Sequence, residues 1–270
     1  MNEPVTHRSP GETIVCIKGA GEMASGIAWR LFRSGFRKIF MLEVARPLAV
    51  RRTVSFCEAI HDRRISVEGV DGVSARSKEG ILSAWADGHI AVCADPDWSI
   101  LPDICPHVVV DAILAKKNLG TRRDEAERVI GCGPGFTAGR DVHFVVETQR
   151  GHDLGRVIET GMAAPNTGIP GDIGGHTTAR VLRAPAEGVF KSDFDIGEMV
   201  TRNQVIGQVN GTPVFSAISG VLRGLIRPGT EVSKSVKIGD VDPRGIKSYC
   251  FTLSDKARAI AGGVLEAVMR

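Results

Sequence analysis

The chain is poor in aromatic residues, at 5% of 270, and Tyr249 is its single tyrosine. That argues against a base-stacking surface for single-stranded nucleic acid, which depends on aromatic platforms. It also lacks a basic tail: the formal charge is only +3 and is spread along the sequence. Nucleic acid is therefore not an expected partner. The six cysteines include no C-x-x-C pair, so neither a zinc-finger nor a thioredoxin signature is present. Cys16 and Cys93 fall in apolar runs, and reduced core thiols in the cytoplasm are the expectation. No stretch reaches the roughly 18 apolar residues of a membrane span. No membrane association is expected, and the polar first dozen residues are expected to be a disordered start.

What remains is an ordinary globular composition, 43% hydrophobic and 24% charged. Its first informative stretch is "VCIKGAGEMASGIAWRLFRSGFRKIFMLE". Residues 14–18 form an apolar run of branched side chains, as in a buried parallel strand. Met23, Ile27 and Leu31 then recur four apart, one face of a helix that Gly35 ends. Residues 38–43 supply a second strand. Strand, glycine turn, helix and strand within about 30 residues predict a Rossmann-like crossover unit.

In that reading Gly19 permits the tight turn, Gly21 lets a phosphate approach the backbone, and Ala24 allows close helix–strand packing. Glu43 ends the second strand, where a carboxylate can accept from a ribose hydroxyl. Glu22 lies in the same turn; it sits close to any bound phosphate, and a helix N-terminus also favours a carboxylate for its own sake. Residues 48–60 are expected to form a helix, with Arg46, Arg51 and Arg52 near its start as an anion clamp or as solvated charges.

Further apolar runs at 65–70, 90–94 and 108–113, with a helical piece at 78–85, continue an alternating α/β pattern. The strand "HVVVDAI" places Asp111 at its end, followed by Lys116, Asn118 and Thr121, where open α/β sheets bind ligands. The loop "GCGPGFTAG" contains Cys132, Gly133 and Gly135; so many glycines serve unusual backbone angles or close approach to something. His143, Val145 and Glu147 share one side of the strand after it, and His152 follows. The spacing matches no standard zinc pattern, so no metal is assigned. Acid–base work by His143 or His152 is one reading, and polar residues holding the turns is the other. The catalytic candidates are Asp111, Lys116 and His143. The ligand-binding candidates are Gly19, Gly21, Glu22, Ala24, Glu43, Arg46, Asn118, Gly133 and Gly135.

The second half contains a repeat. At an offset of 32 positions Gly188 matches Gly220, Gly197 matches Gly229, Val200 matches Val232, and Ile206-Gly207 matches Ile238-Gly239. This part resembles biotinyl/lipoyl-like barrel-sandwich hybrid domains. The turn between the copies reads "VNGTPV" and has no lysine, so no biotin or lipoyl attachment is expected. The expected fold is thus an N-terminal Rossmann-like parallel sheet with helices, a C-terminal barrel-sandwich and a final helix. The expected domains are residues 12–150, a glycine-rich connector at 151–180, the barrel-sandwich at 181–245, and a strand and helix at 246–270 packing on the body.

Longer motifs point further. "RPLAVRRTVSF", "VDAILAKKNLGT", "GPGFTAGRDVHFVVET", "NTGIPGDIGG" and "SYCFTLSDKARAIAGGVLEA" resemble the selenium-dependent molybdenum hydroxylase accessory (YqeB-like) family over nearly the whole chain. The resemblance implies a role in maturing such a hydroxylase, with that enzyme or another maturation factor as partner. It implies a molybdopterin-type ligand, where the glycine turn alone allows a dinucleotide, and it assigns no catalytic residue. An NAD(P)-dependent oxidoreductase and a non-catalytic docking module are the alternatives, and a homo-oligomer is left open.

Overall fold

The computed structural model describes residues 8–270. The chain folds as two compact units: residues up to Arg46 with Phe56–Asn166 and Asp255–Arg270, and Pro47–Ser55 with Thr167–Ser254. The expected disordered start lies partly outside the described residues; Ser9 O accepts from the backbone N–H groups of Glu12 and Thr13 in a turn.

The first unit contains β1 (Ile14–Lys18), α1 (Glu22–Arg33), β2 (Lys38–Glu43), α2 (Ala59–Asp62), β3 (Arg64–Val67), β4 (Val70–Ala75), α3 (Lys78–Ala86), β5 (Ile90–Ala94), α4 (Leu101–Ile104), β6 (Val108–Asp111), β7 (Arg128–Cys132), β8 (Thr137–Ala138), β9 (Phe144–Val146), β10 (Val157–Ile158), β11 (Gly161–Met162) and the last helix, α5 (Asp255–Met269). Nine strands form one sheet in the order β10-β9-β7-β6-β1-β2-β5-β4-β3. Its centre is parallel: Lys18 stands beside Leu42 on one neighbour and Asp111 on the other. Cys16, Ile17, Phe40 and Met41 are fully buried, as central parallel strands covered on both faces require. Helix α1 buries Ala24, Ile27, Ala28 and Leu31. It ends in a Schellman turn: Gly35, at φ +98°, donates to Phe32 O, and Phe36 donates to Leu31 O.

The expected fold is corrected here. The sheet is mixed and not a plain parallel one, because β3 and β10 pair antiparallel at its two edges. The apolar run at 65–70 is a hairpin, turning at Glu68 (φ +44°) and Gly69 (φ +78°). Apolar runs reveal that strands exist; direction is set by turn geometry and neighbours. Nor is 48–60 one helix. It breaks into 3-10 turns at Arg52–Val54 and Phe56–Glu58 before the short α2. Arg51 spends its guanidinium on Tyr249 O and Thr252 O, and Arg52 on Leu225 O and Asp195. Those bonds are why residues 47–55 belong to the second unit, and why these two arginines are not an anion clamp.

The second unit has β12 (Val181–Arg183), β13 (Gly188–Lys191), β14 (Met199–Val200), β15 (Val205–Val209), β16 (Thr212–Phe215), β17 (Gly220–Leu225), β18 (Glu231–Val232) and β19 (Lys237–Asp242). They form two four-stranded antiparallel sheets, β12-β19-β17-β14 and β16-β15-β13-β18. Phe190, Val209, Val221, Leu222, Leu225 and Ile238 are among its fully buried core. Asn210 (φ +48°) and Gly211 (φ +78°) join β15 to β16 in a two-residue hairpin. Glycine turns at a fixed offset specify short strands, but not the named architecture they close into. Helix α5 packs with the first unit: a methyl on Gly26 of α1 would lie 2.9 Å from Ala257.

Candidate functional site at the carboxyl rim

The parallel strands bring the loops after β1, β2, β5, β6, β7 and β9 to one rim, the place where open α/β sheets take ligands. These loops touch one another closely. The Cβ position of Gly19 (φ +92°) lies 3.2 Å from Ile113, and that of Gly135 (φ +113°) lies 2.7 Å from the Lys117 backbone. That of Gly133 lies 2.5 Å from Thr148 Oγ1. Gly133 and Gly135 are therefore explained by loop packing, and their assignment as ligand contacts is corrected. Ala24 is buried in α1 and serves helix packing.

Gly21 differs. Its backbone (φ −71°, ψ −176°) is open to any residue, and nothing lies within 4 Å of its Cβ position. Packing does not require glycine there. Glu43 is aimed at the same turn: Oε2 accepts from Ala20 N–H at 2.9 Å and Oε1 from Val44 N–H at 2.8 Å. A cavity of about 300 Å³ opens beside it, lined by Gly19, Glu43, Pro96, Trp98, Ile113 and Leu119 among others. Arg46 is exposed beyond β2.

Asp111 is buried under the rim. Its Oδ2 accepts from Thr121 Oγ1 at 2.7 Å and its Oδ1 from Ile113 N–H at 3.2 Å. Burial pushes its carboxyl above the usual value, against those bonds and the Lys18 charge. Lys18 is fully buried and donates to Thr121 Oγ1 (2.9 Å) and Glu125 (2.7 Å). Asn118 closes its own turn, accepting from Gly120 and Thr121 N–H and donating to Thr121 O. It is a structural residue, not a ligand contact.

The catalytic trio does not assemble. His143 precedes β9, its Nδ1 accepts from Val129 N–H at 3.0 Å, and burial lowers its pKa. Val129 pairs with Val109, two residues before Asp111 and one strand over. His143 thus lies toward the opposite end of the strands from the rim. Glu147 accepts from the N–H groups of Thr148, Gln149 and Ala164, each at 2.7 Å. It holds its loop. Among the described residues no group of three or more His, Cys, Asp or Glu is placed to hold a metal.

Cys132 is buried, and desolvation raises its thiol far above the ordinary value. Its glycine flanks could suggest an exposed nucleophile, but a buried thiol with a raised pKa holds too little thiolate for that. In the native protein, iodoacetamide is expected to label exposed Cys105 and to spare Cys132 and Cys16; peptide mass mapping checks this. Rapid labelling of Cys132 would show it to be accessible and reactive.

Sequence reasoning missed Lys256, at the start of α5. Arg150, in the loop after β9, binds Asp255 through both guanidinium nitrogens (2.5 and 2.8 Å), which brings the α5 N-terminus to the rim. At the other end, Val268 O accepts from Arg128 at the start of β7. So α5 runs in the same sense as α1, and both N-termini meet the rim. Desolvation lowers the pKa of Lys256, as do Lys116 and Arg150, while Glu22 and Glu147 oppose. Partial desolvation also lowers Lys116, which sits at φ +65°. No periodicity signals Lys256, because the groups around it lie far away in sequence.

The rim can now be set beside known proteins. Over 259 residues the chain is 49% identical to "Uncharacterized protein YqeB" of Escherichia coli (strain K12). The match covers 96% of this chain and 48% of that protein, so the chain spans about half the length of the curated relative it matches. No family model matches it. Among solved structures, TcdA (CsdL) is 15% identical with a TM-score of 0.30, covering 96% of this chain and 89% of that one. A succinylglutamate desuccinylase/aspartoacylase from Rhodobacter sphaeroides is 14% identical with a TM-score of 0.27, covering 85% of each chain. No chemistry is carried over at those values. The carrier-type barrel-sandwich expected for the second unit is withdrawn: what is observed there is two four-stranded antiparallel sheets, and no carrier domain is indicated. No described helix is long and apolar enough to cross a membrane.

Proposed function

We propose that the chain binds a nucleotide-like or pterin-phosphate ligand at the carboxyl rim, and that it serves in this way as an accessory factor in maturing a selenium-dependent molybdenum hydroxylase. The observation that carries the ligand is Gly21. A glycine that neither backbone angle nor packing requires, at the opening of a 12-residue helix, leaves room for a phosphate to reach the backbone. The residues fit such a group: Glu43 stands beside the turn for a hydroxyl, and the adjoining cavity has the volume of a small ligand site. The pathway rests on the sequence motifs alone. The hydroxylase or a second maturation factor is the proposed partner.

Thermal unfolding with AMP, NAD⁺ and a pterin phosphate tests the ligand. A probe at one hundred times its Kd adds about 2.7 kcal/mol and raises Tm by about 5–10 °C. Gly21→Val is expected to remove that rise while costing about 1 kcal/mol or less in the unliganded protein. An undiminished rise in the variant rejects the pocket. A response to NAD⁺ accompanied by hydride transfer would favour the oxidoreductase reading.

A further inference from the structure

The cavity at the rim has an uneven lining. Its charged residues, Glu43 and Asp97, are both acidic, and no basic side chain lines it. Most of the remainder is apolar. Val44, Ile113 and Leu119 are large apolar side chains left exposed, and all three lie on this one cavity. Exposed apolar residues gathered at one concavity mark a binding surface. Anions are disfavoured there, and a flat apolar group with hydrogen-bond donors is favoured.

Trp98 completes the lining and is held in an unusual way. Its backbone stands at φ +60°, a region that costs a bulky residue energy and persists only where the surroundings enforce it. Asp95 enforces it, accepting from Ser99 Oγ (2.9 Å) and Ile100 N–H (3.0 Å), while Trp98 N–H donates to Asp95 O. The indole is pinned as well: Lys18 Nζ lies 3.4 Å from a ring centroid. Lys18 is fully buried and does not line the cavity, so the ammonium takes the protein side of the ring. A rigid indole costs little entropy on ligand binding.

Resting on the ligand reading above, we propose that Trp98 is a stacking surface for a planar nitrogen heterocycle, of the kind shared by purine nucleotides and pterins. Ile113 and Leu119 wall it, and Glu43 and Asp97 accept from ring or sugar donors. The anionic part of the ligand lies outside this cavity, toward Gly21.

Three tryptophans are present, so the Trp29→Phe/Trp85→Phe protein reports emission from Trp98 alone. It is titrated with AMP, with pterin-6-carboxylate and with ribose 5-phosphate, and Tm is measured in parallel. Saturable quenching by AMP or by the pterin, with none by ribose 5-phosphate, is the expected result, and the tighter of the two identifies the source. Trp98→Leu is expected to weaken the ring-bearing probe about 5- to 100-fold. Unchanged emission with a raised Tm, or equal quenching by ribose 5-phosphate, overturns the stacking surface and leaves the ligand reading in place. No Tm rise and no quenching with any probe overturns both.

Discussion

Gly263→Ala is expected to destabilise the first unit by about 3 kcal/mol or more, while Gly262→Ala stabilises it by about 0.5–1 kcal/mol. The two glycines are adjacent in α5, and helix propensity treats them alike. A methyl on Gly263 would meet Gly155 O at 2.0 Å, whereas Gly262 has nothing within 4 Å. Gly155 cannot easily withdraw. It stands at φ +86°, its own Cβ position lies 2.5 Å from Ala259 O, and its N–H donates to Glu147 O. The clash is backbone against methyl, which rotamer changes do not relieve. Gly262→Ala gains by removing unfolded-state freedom and improving helix propensity. Urea unfolding of both variants checks the signs. Equal effects would mean that α5 does not dock along Gly263.

Lys18→Met is expected to cost about 3–5 kcal/mol, the loss seen when one partner of a buried ion pair is removed. The methionine retains much of the apolar stem, so little of this loss is cavity. The ammonium meets Glu125, Thr121 and the Trp98 ring at once. Its removal leaves Glu125 nearly buried without its cation and Asp111 without a favourable neighbouring charge. Pairing Lys18→Met with Glu125→Gln should recover a large part of the loss, because the double variant buries no orphan charge. Denaturant midpoints of the single and double variants measure it. A single-variant loss under about 1 kcal/mol would show that this pair behaves like an exposed one.

The site was only partly legible in the sequence. The placement of Gly21 and Glu43 was legible because it follows from local spacing: a turn after a strand, and an acid at the end of the next one. Gly133 and Gly135 misled, because a glycine needed for packing against Thr148 or Lys117 looks the same in sequence as one left open for a ligand. His143 misled because alternation along a strand fixes its face but not its partner, which is a backbone N–H across the sheet. Trp98 gave no signal. Its importance comes from Lys18, 80 residues earlier, which itself reads as the polar end of an apolar run.

The sequence by itself determined the local elements that open the chain: the buried strand β1, the amphipathic α1 with its glycine stop, and the hairpin at Asn210-Gly211. Each is set by side-chain period or by backbone angles that one or two residues dictate. Tertiary structure alone decided strand direction at the sheet edges, the withdrawal of Arg51 and Arg52 into the second unit, and which glycines remain open. Those outcomes depend on groups distant along the chain competing for the same space and the same hydrogen bonds, and periodicity carries no record of that competition.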